Sequence, residues 1–246
     1  MRALRELAWL EVKLFLREPL TVVFVLVLPL VVLYVLNGVF GSQPDPSVWE
    51  GVSPVDFYTS AYVALVLATI GVLSLPVHLA GYREHGVLRR FRASSLRPSV
   101  LVGAHLAVAV LVGVAGASLL TAVSILGYDA TAPQDPVGVL AAFLLVSVAF
   151  ATLGALLGLV LPSARAAQGL GVLLFFVFLM LGGAGPPREV LPSAMLRLSD
   201  LTPLTYAGRL LRAPWLGADW DLTATAVMAG LLLGSAGLAA WRLRSS

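Results

Sequence analysis

The sequence predicts an all-α polytopic membrane protein with six transmembrane helices. Hydrophobic residues make up 59% of the 246 positions and charged residues 12%, which is about half the charged fraction of an ordinary soluble domain. The mean hydropathy is +0.94. A globular core of this length leaves too much apolar surface in water, so the excess requires lipid as its solvent. The apolar runs are continuous rather than alternating, which excludes the strands of a membrane β-barrel.

Six stretches without any Asp, Glu, Lys or Arg reach the roughly 20 residues that a helix needs to cross a hydrocarbon core. These stretches cover residues 20–40, 57–82, 99–126, 137–161, 166–185 and 222–241. Because their number is even, both ends of the chain are predicted on the same side of the membrane. The first stretch is predicted to be a permanent helix, since no small-x-small cleavage site of a signal peptide follows it.

The basic residues predict the orientation, because cytoplasmic loops carry an excess of Lys and Arg. Twelve of the sixteen basic residues fall near the two termini or in the loops after the second and fourth spans, whereas nine of the thirteen acidic residues fall in the other loops. Both termini are therefore predicted to be cytoplasmic. The net charge of +3 reflects this topology, and the chain has no room for a basic surface domain that would bind nucleic acid.

Several kinds of chemistry are excluded by missing residues. The chain has no cysteine, so it forms no disulfide or thiolate metal site. Its one lysine, Lys13, has no glycine-rich loop beside it, so the chain has no P-loop and is not predicted to be an enzyme. The spans carry no carboxylate of the kind that ion-coupled carriers use. His78 and His105 lie within spans, and two interpretations are open for them. They pack against other helices or the cytoplasmic interface, or they form a proton relay or metal site.

Residues 1–19 form a predicted amphipathic helix that lies in the inner membrane interface instead of crossing it. Glu11 and Glu18 project from its apolar side. Two interpretations remain open: these carboxylates meet a basic partner, or they pair locally along the helix. Pro19 ends this helix or begins the next one.

The loop at residues 83–98 also fits a short amphipathic helix. On such a helix three apolar residues share one arc, namely Val87, Leu88 and Phe91. Three arginines point elsewhere, namely Arg89, Arg90 and Arg92. Positive-inside anchoring to anionic headgroups explains the arginines. Anchoring alone does not require Glu84, Gly86 and the apolar triplet in that order.

Three motifs on this six-span frame are recognisable. They are Arg17-Glu18-Pro19, the loop Arg83-Glu84-x-Gly86-x-Leu88-Arg89-Arg90-x-Arg92 that ends in Leu96-x-Pro98, and Pro203-Leu204-Thr205-Tyr206. In this order they resemble the membrane subunits of ABC type-2 exporters, and in particular the small bacterial drug-resistance and antibiotic-export permeases of daunorubicin-resistance type. The resemblance covers essentially the whole chain.

The resemblance implies two cytoplasmic elements. A coupling helix at about residues 84–96 would dock on an ATP-binding subunit. The candidate coupling residues are Glu84, Gly86, Val87, Leu88, Arg89, Arg90, Phe91 and Arg92. Residues 1–19 would be the elbow helix beside it, with Glu11, Arg17, Glu18 and Pro19 as its candidate residues.

The resemblance also implies an outer gate and a pathway. Short re-entrant extracellular helices within residues 186–221, which include Pro203 and Tyr206, would close the outer mouth; the alternative is a surface loop. The pathway would be lined mainly by the first, second and fifth spans. Its candidate lining residues are Phe24, Tyr34, Phe175, Phe176 and Phe178. Alternatively, these aromatic side chains face lipid or a neighbouring helix.

The implied complex has two membrane subunits, taken as two copies of this chain, and two copies of an ABC ATP-binding subunit in the bacterial plasma membrane. ATP and Mg would be bound by that partner, so this chain is expected to hold no cofactor and to contact lipid but no nucleic acid. An apolar lining suits a hydrophobic or amphipathic substrate exported from the cytoplasm. The alternatives are a stand-alone channel or secondary carrier, and a scaffold without transport activity.

Overall fold

The computed structural model of the protein describes residues 19–40, 49, 52–86 and 98–245. These residues form helices and connecting turns, with no β-strand among them. The predicted all-α class is therefore confirmed. The candidate elbow residues Glu11, Arg17 and Glu18 lie outside the described residues, and so does the segment 87–97.

We number the helices α1 to α8 in chain order. Two of them contain a π-helical segment: α1 comprises Pro19–Val22, Val23–Val27 and Leu28–Phe40, and α2 comprises Pro54–Thr69, Ile70–Ser74 and Leu75–Glu84, with the π segment in the middle of each. The others are α3 (Pro98–Tyr128), α4 (Pro136–Val160), α5 (Ala164–Leu181), α6 (Ser193–Ser199), α7 (Pro203–Trp215) and α8 (Leu222–Ser245). A short 3-10 helix, Arg188–Val190, precedes α6.

Five of the described helices are long and apolar enough to cross a membrane, namely α2, α3, α4, α5 and α8. Within α1 a shorter apolar stretch covers Val23–Val35. The polytopic membrane class is thus confirmed, whereas the count of six spans stays a prediction.

Helix α2 lies at the centre of the bundle. Every residue from 54 to 76 is buried, and the helix packs against α1, α3, α4, α5 and α7. A helix that is apolar all round belongs in an interior. The same composition would also suit a helix surrounded by lipid, so the central position of α2 comes from its neighbours and not from its own sequence.

Glycines on the neighbouring helices let α2 pack at backbone distance. A Cβ added to Gly154 of α4 would overlap the carbonyl oxygen of Gly71, and a Cβ added to Gly171 of α5 would lie 2.6 Å from the carbonyl oxygen of Val72. Both contacts fall on the π-helical segment of α2. Small residues are the usual means by which helices approach closely in membranes, where packing drives association.

The bundle has two ends, which we name by the charge of their loops. The basic end contains the end of α2, the start of α3 and the turn between α4 and α5. The acidic end contains the start of α2, the loop between α3 and α4, and the segment 182–221 with α6 and α7.

Candidate functional site: the two ends of helix α2

At the basic end, Arg83 binds the end of α4. Its Nη1 atom donates hydrogen bonds to the carbonyl oxygens of Gly158, at 3.1 Å, and Leu161, at 3.0 Å. The last carbonyls of a helix have no partner within the helix, and a cation there also interacts favourably with the helix dipole. Arg83 therefore caps the C-terminus of α4.

Glu84 binds the start of α5 on the other side of the same turn. Its Oε2 atom accepts a hydrogen bond from the backbone N–H of Ala164 at 3.1 Å, and Ser163 Oγ accepts from the N–H of Ala166 at 3.2 Å. The first N–H groups of a helix need such acceptors, and a carboxylate suits the positive end of the dipole. We call these Arg83 and Glu84 contacts with the α4–α5 turn the clamp.

Gly86 ends α2 immediately after the clamp. Its φ is +69°, and its N–H donates to the carbonyl oxygen of Arg83 at 3.1 Å. A glycine in this left-handed conformation is a common helix terminator, because a Cβ there is strained. The segment that follows it holds the other candidate coupling residues, and these lie outside the described residues: Val87, Leu88, Arg89, Arg90, Phe91 and Arg92.

At the acidic end, Asp56 in the first turn of α2 holds the loop between α3 and α4. Its Oδ1 atom accepts from the N–H of Thr131 at 2.7 Å and from Thr131 Oγ1 at 2.9 Å. Ser53 caps the helix, accepting from the N–H of Asp56 at 3.2 Å and donating to its Oδ2 at 2.7 Å. Trp215 at the end of α7 donates from Nε1 to the carbonyl oxygen of Thr131 at 3.0 Å. Thr131 thus connects α2 with α7.

Two aromatic residues of α2 make further contacts at the acidic end. The guanidinium carbon of the buried Arg212 in α7 lies 4.2 Å from the ring centroid of Phe57, within the range of a cation–π interaction. Tyr58 Oη donates to the carbonyl oxygen of Gly185 at 2.8 Å. The first turns of α2 therefore hold both α7 and the chain that leaves α5.

Residues 186–221 contain the helices α6 and α7 rather than an irregular loop. Pro203, one of the candidate gate residues, is the first residue of α7, where proline is well tolerated. Tyr206, the other, donates from Oη to the carbonyl oxygen of Asp200 at 2.9 Å. Arg188 forms an ion pair with the same Asp200 at 2.6 Å. The corner between α6 and α7 is thus fixed by polar contacts, and its re-entrant placement in a membrane stays a prediction.

The structure brings three of the five candidate pathway residues together. The ring of Phe24 in α1 meets the rings of Phe175 and Phe176 in α5 edge to face, with centroid distances of 4.8 and 6.2 Å. Phe178 is buried and packs against a phenylalanine of α4 instead, and Tyr34 is 68% exposed. Phe176 is partly exposed beside the aromatic cluster.

His78 and His105 line one cavity of about 30 Å³ between α2 and α3. His78 Nδ1 lies 2.8 Å from the carbonyl oxygen of Ser74; since a carbonyl only accepts, this nitrogen carries the proton. The ring of His105 packs edge-on against Tyr82 at 5.3 Å. The sequence did not indicate that the two histidines share a cavity.

The sequence interpretation missed the contacts of Arg83, Asp56 and Arg212. One signal was available: Ser53 stands three residues before Asp56, a spacing typical of a capped helix N-terminus. The partners of Arg83 and Arg212 are distant in sequence, and no local pattern indicates them.

Both ends of α2 fall within a region that matches a known family. A family model described as ABC-2 type transporter matches residues 2–215, which include the clamp and α7 up to Trp215. No curated protein matches the sequence. Since the family match covers most of the chain, the protein belongs to the ABC-2 type transporter family and is a membrane subunit of an ABC transporter.

Proposed function

We propose that this chain is the permease subunit of an ABC exporter in the bacterial plasma membrane. It moves a hydrophobic or amphipathic substrate, a drug, an antibiotic or a lipid-like molecule, out of the cytoplasm. A separate ATP-binding subunit, present in two copies, binds ATP and Mg and drives the movement. The observation that carries the proposal is that one buried helix, α2, connects the arginine-rich loop at one end of the bundle with α7 at the other.

The ATP-binding subunit exerts its force on the basic end of the bundle, which faces the cytoplasm. The segment 87–97 follows Gly86 directly and docks on the ATP-binding subunit through its apolar triplet and its arginines. The elbow helix at residues 1–19 packs beside it, with Glu11 and Glu18 next to these arginines. This arrangement is supported by the family and by the position of Gly86 at the end of α2.

The force is then transmitted along α2. A helix that is packed on all sides cannot shift alone, because protein interiors are as dense as crystals and transmit strain. The hydrogen bonds of Asp56 and the stacking of Arg212 on Phe57 join its far end to α7. A displacement of α2 therefore changes the position of α7, which acts as the outer gate.

The substrate passes between two copies of the chain. The aromatic cluster of Phe24, Phe175 and Phe176 joins α1 and α5, the two helices proposed to line the pathway together with α2. Large apolar side chains are exposed on both helices, among them Val31 of α1 and Leu173 of α5. Such surfaces suit contact with a second copy and with a hydrophobic or amphipathic substrate.

The test is a reconstitution with an ATP-binding subunit, whose gene we expect to lie beside that of the chain. The tagged chain is expected to co-purify with it and to form a complex with vanadate-sensitive ATPase activity. In proteoliposomes, uptake of the amphipathic dye rhodamine 6G should require ATP and an intact P-loop lysine in the partner. Dye movement by the chain without the partner would favour a channel or carrier, and a stable complex that hydrolyses ATP but moves no dye would favour a scaffold.

A further inference from the structure

From the clamp we infer that Arg83 and Glu84 are positioning residues that act inside the subunit. They fasten the α4–α5 turn to the end of α2, so that force arriving through the segment 87–97 moves three helices as one unit. The inference rests on the proposed function. It gives Glu84, which the sequence analysis counts among the candidate coupling residues, an internal contact instead of a docking role on the ATP-binding subunit.

The charges of the clamp match the two helix ends that it touches. The C-terminus of α4 carries the negative end of its dipole and meets the guanidinium of Arg83, whereas the N-terminus of α5 carries the positive end and meets the carboxylate of Glu84. Adjacent residues on a helix point about 100° apart. The two side chains can therefore reach opposite sides of the same turn, and exchanging them would set each charge against the wrong dipole.

The location of the clamp suits force transmission better than fold stability. Glu84 is exposed and Arg83 is partly buried, so water can replace part of what either side chain provides. Both residues stand within three positions of Gly86, where the segment 87–97 begins. Arg83 and Glu84 are the last two residues of α2, so a movement of the segment 87–97 reaches them before the rest of the helix. Because the glycine contacts with α4 and α5 hold the middle of α2, loss of the clamp should leave a folded bundle in which only the last turn of α2 moves without the α4–α5 turn.

The chain offers a covalent substitute for the clamp. A Cβ built on Gly81 lies 3.7 Å from the Cβ of Ala164, within the roughly 3.5–4.5 Å that a disulfide requires. Because the natural sequence has no cysteine, Gly81→Cys with Ala164→Cys introduces a single defined pair. We call the oxidised pair the inner staple.

The experiment compares Glu84→Ala, with and without the inner staple, in the full complex in proteoliposomes. In Glu84→Ala, the amount of rhodamine 6G transported per ATP hydrolysed is expected to fall at least fivefold. The amount of ATP-binding subunit that co-purifies should stay within twofold of wild type. Oxidation of the inner staple should restore the ratio to within twofold, and dithiothreitol should abolish the rescue. Arg165→Ala, which removes an exposed charge from the first turn of α5, is the matched control and should transport normally.

Three results would overturn the inference. The first is normal coupling in Glu84→Ala, and the second is loss of co-purification that the inner staple does not repair, which would place Glu84 at the ATP-binding subunit. The third is arrest of wild-type transport by the inner staple, since the clamp would then have to open in each cycle.

A separate measurement distinguishes failure of the inference from failure of the proposed function. Hydrogen exchange at the Ala164 amide, measured on the chain alone in nanodiscs, should accelerate at least tenfold in Glu84→Ala, because this N–H has then lost its carboxylate acceptor. Unchanged exchange counts against the clamp. Absence of dye transport by the wild-type complex counts against the proposed function.

Discussion

Gly71 of α2 and Gly154 of α4 meet backbone to backbone where α2 is π-helical. π-Helical turns within longer helices are often found at functional sites. Here the irregular turn lies between the clamp at one end of α2 and the contacts with α7 at the other. The close approach therefore fixes the middle of the helix that we propose transmits force.

Replacing Gly154 should destabilise the bundle. In Gly154→Ala the new Cβ would overlap the carbonyl oxygen of Gly71, and backbone shifts to relieve such a contact cost about 1–3 kcal/mol. We expect a lower midpoint of thermal unfolding in detergent. Gly230→Ala in α8 is the control, because its Cβ would meet no atom within 4 Å. Equal melting of the two variants would contradict the close packing.

Replacing Gly86 should distinguish a conformational role from a packing role. Gly86→Val forces a β-branched residue into a left-handed conformation at φ +69°, at a cost of roughly 1–2 kcal/mol. We expect the segment 87–97 to leave α2 in another direction, so that ATPase activity persists while dye transport falls. Gly86→Asn should transport nearly normally, since asparagine tolerates this conformation. Equal loss in both variants would indicate that any side chain at this position is excluded.

The sequence was sufficient to locate the long apolar helices but not their arrangement. The helices begin or end within a few residues of the predicted spans, because apolar runs end where charges, prolines and capping residues begin; α3, for example, starts at Pro98. The central position of α2 was not predictable, since lipid and protein interior favour the same composition. The clamp joins residues up to 80 positions apart, and only tertiary packing brings them together.

Removing the carboxylate of Asp56 should loosen α7. Asp56→Ala leaves the N–H and hydroxyl of Thr131 without their acceptor. Because Thr131 is exposed, water replaces part of this acceptor, and the loss should be smaller than the cost of about 1–3 kcal/mol for a buried unsatisfied group. We expect faster hydrogen exchange in α7 at the acidic end and no change at the Ala164 amide. Asp56→Asn retains an acceptor oxygen and should be milder. A change confined to the basic end would contradict the connection through Thr131.

A second engineered disulfide should have the opposite effect to the inner staple, because the acidic end has to open for export. A Cβ built on Gly208 of α7 lies 3.9 Å from the Cα of Ala61 in α2, so Ala61→Cys with Gly208→Cys places two cysteines on closely facing helices. Loss of both free thiols on oxidation shows that the disulfide has formed. Oxidation of this pair should reduce ATP-driven rhodamine 6G uptake more than tenfold, and dithiothreitol should restore it. The single variants Ala61→Cys and Gly208→Cys control for the substitutions themselves and should be insensitive to oxidation. If the stapled protein transports at the wild-type rate, α7 stays on α2 throughout the cycle, and the outer gate must be another part of the chain.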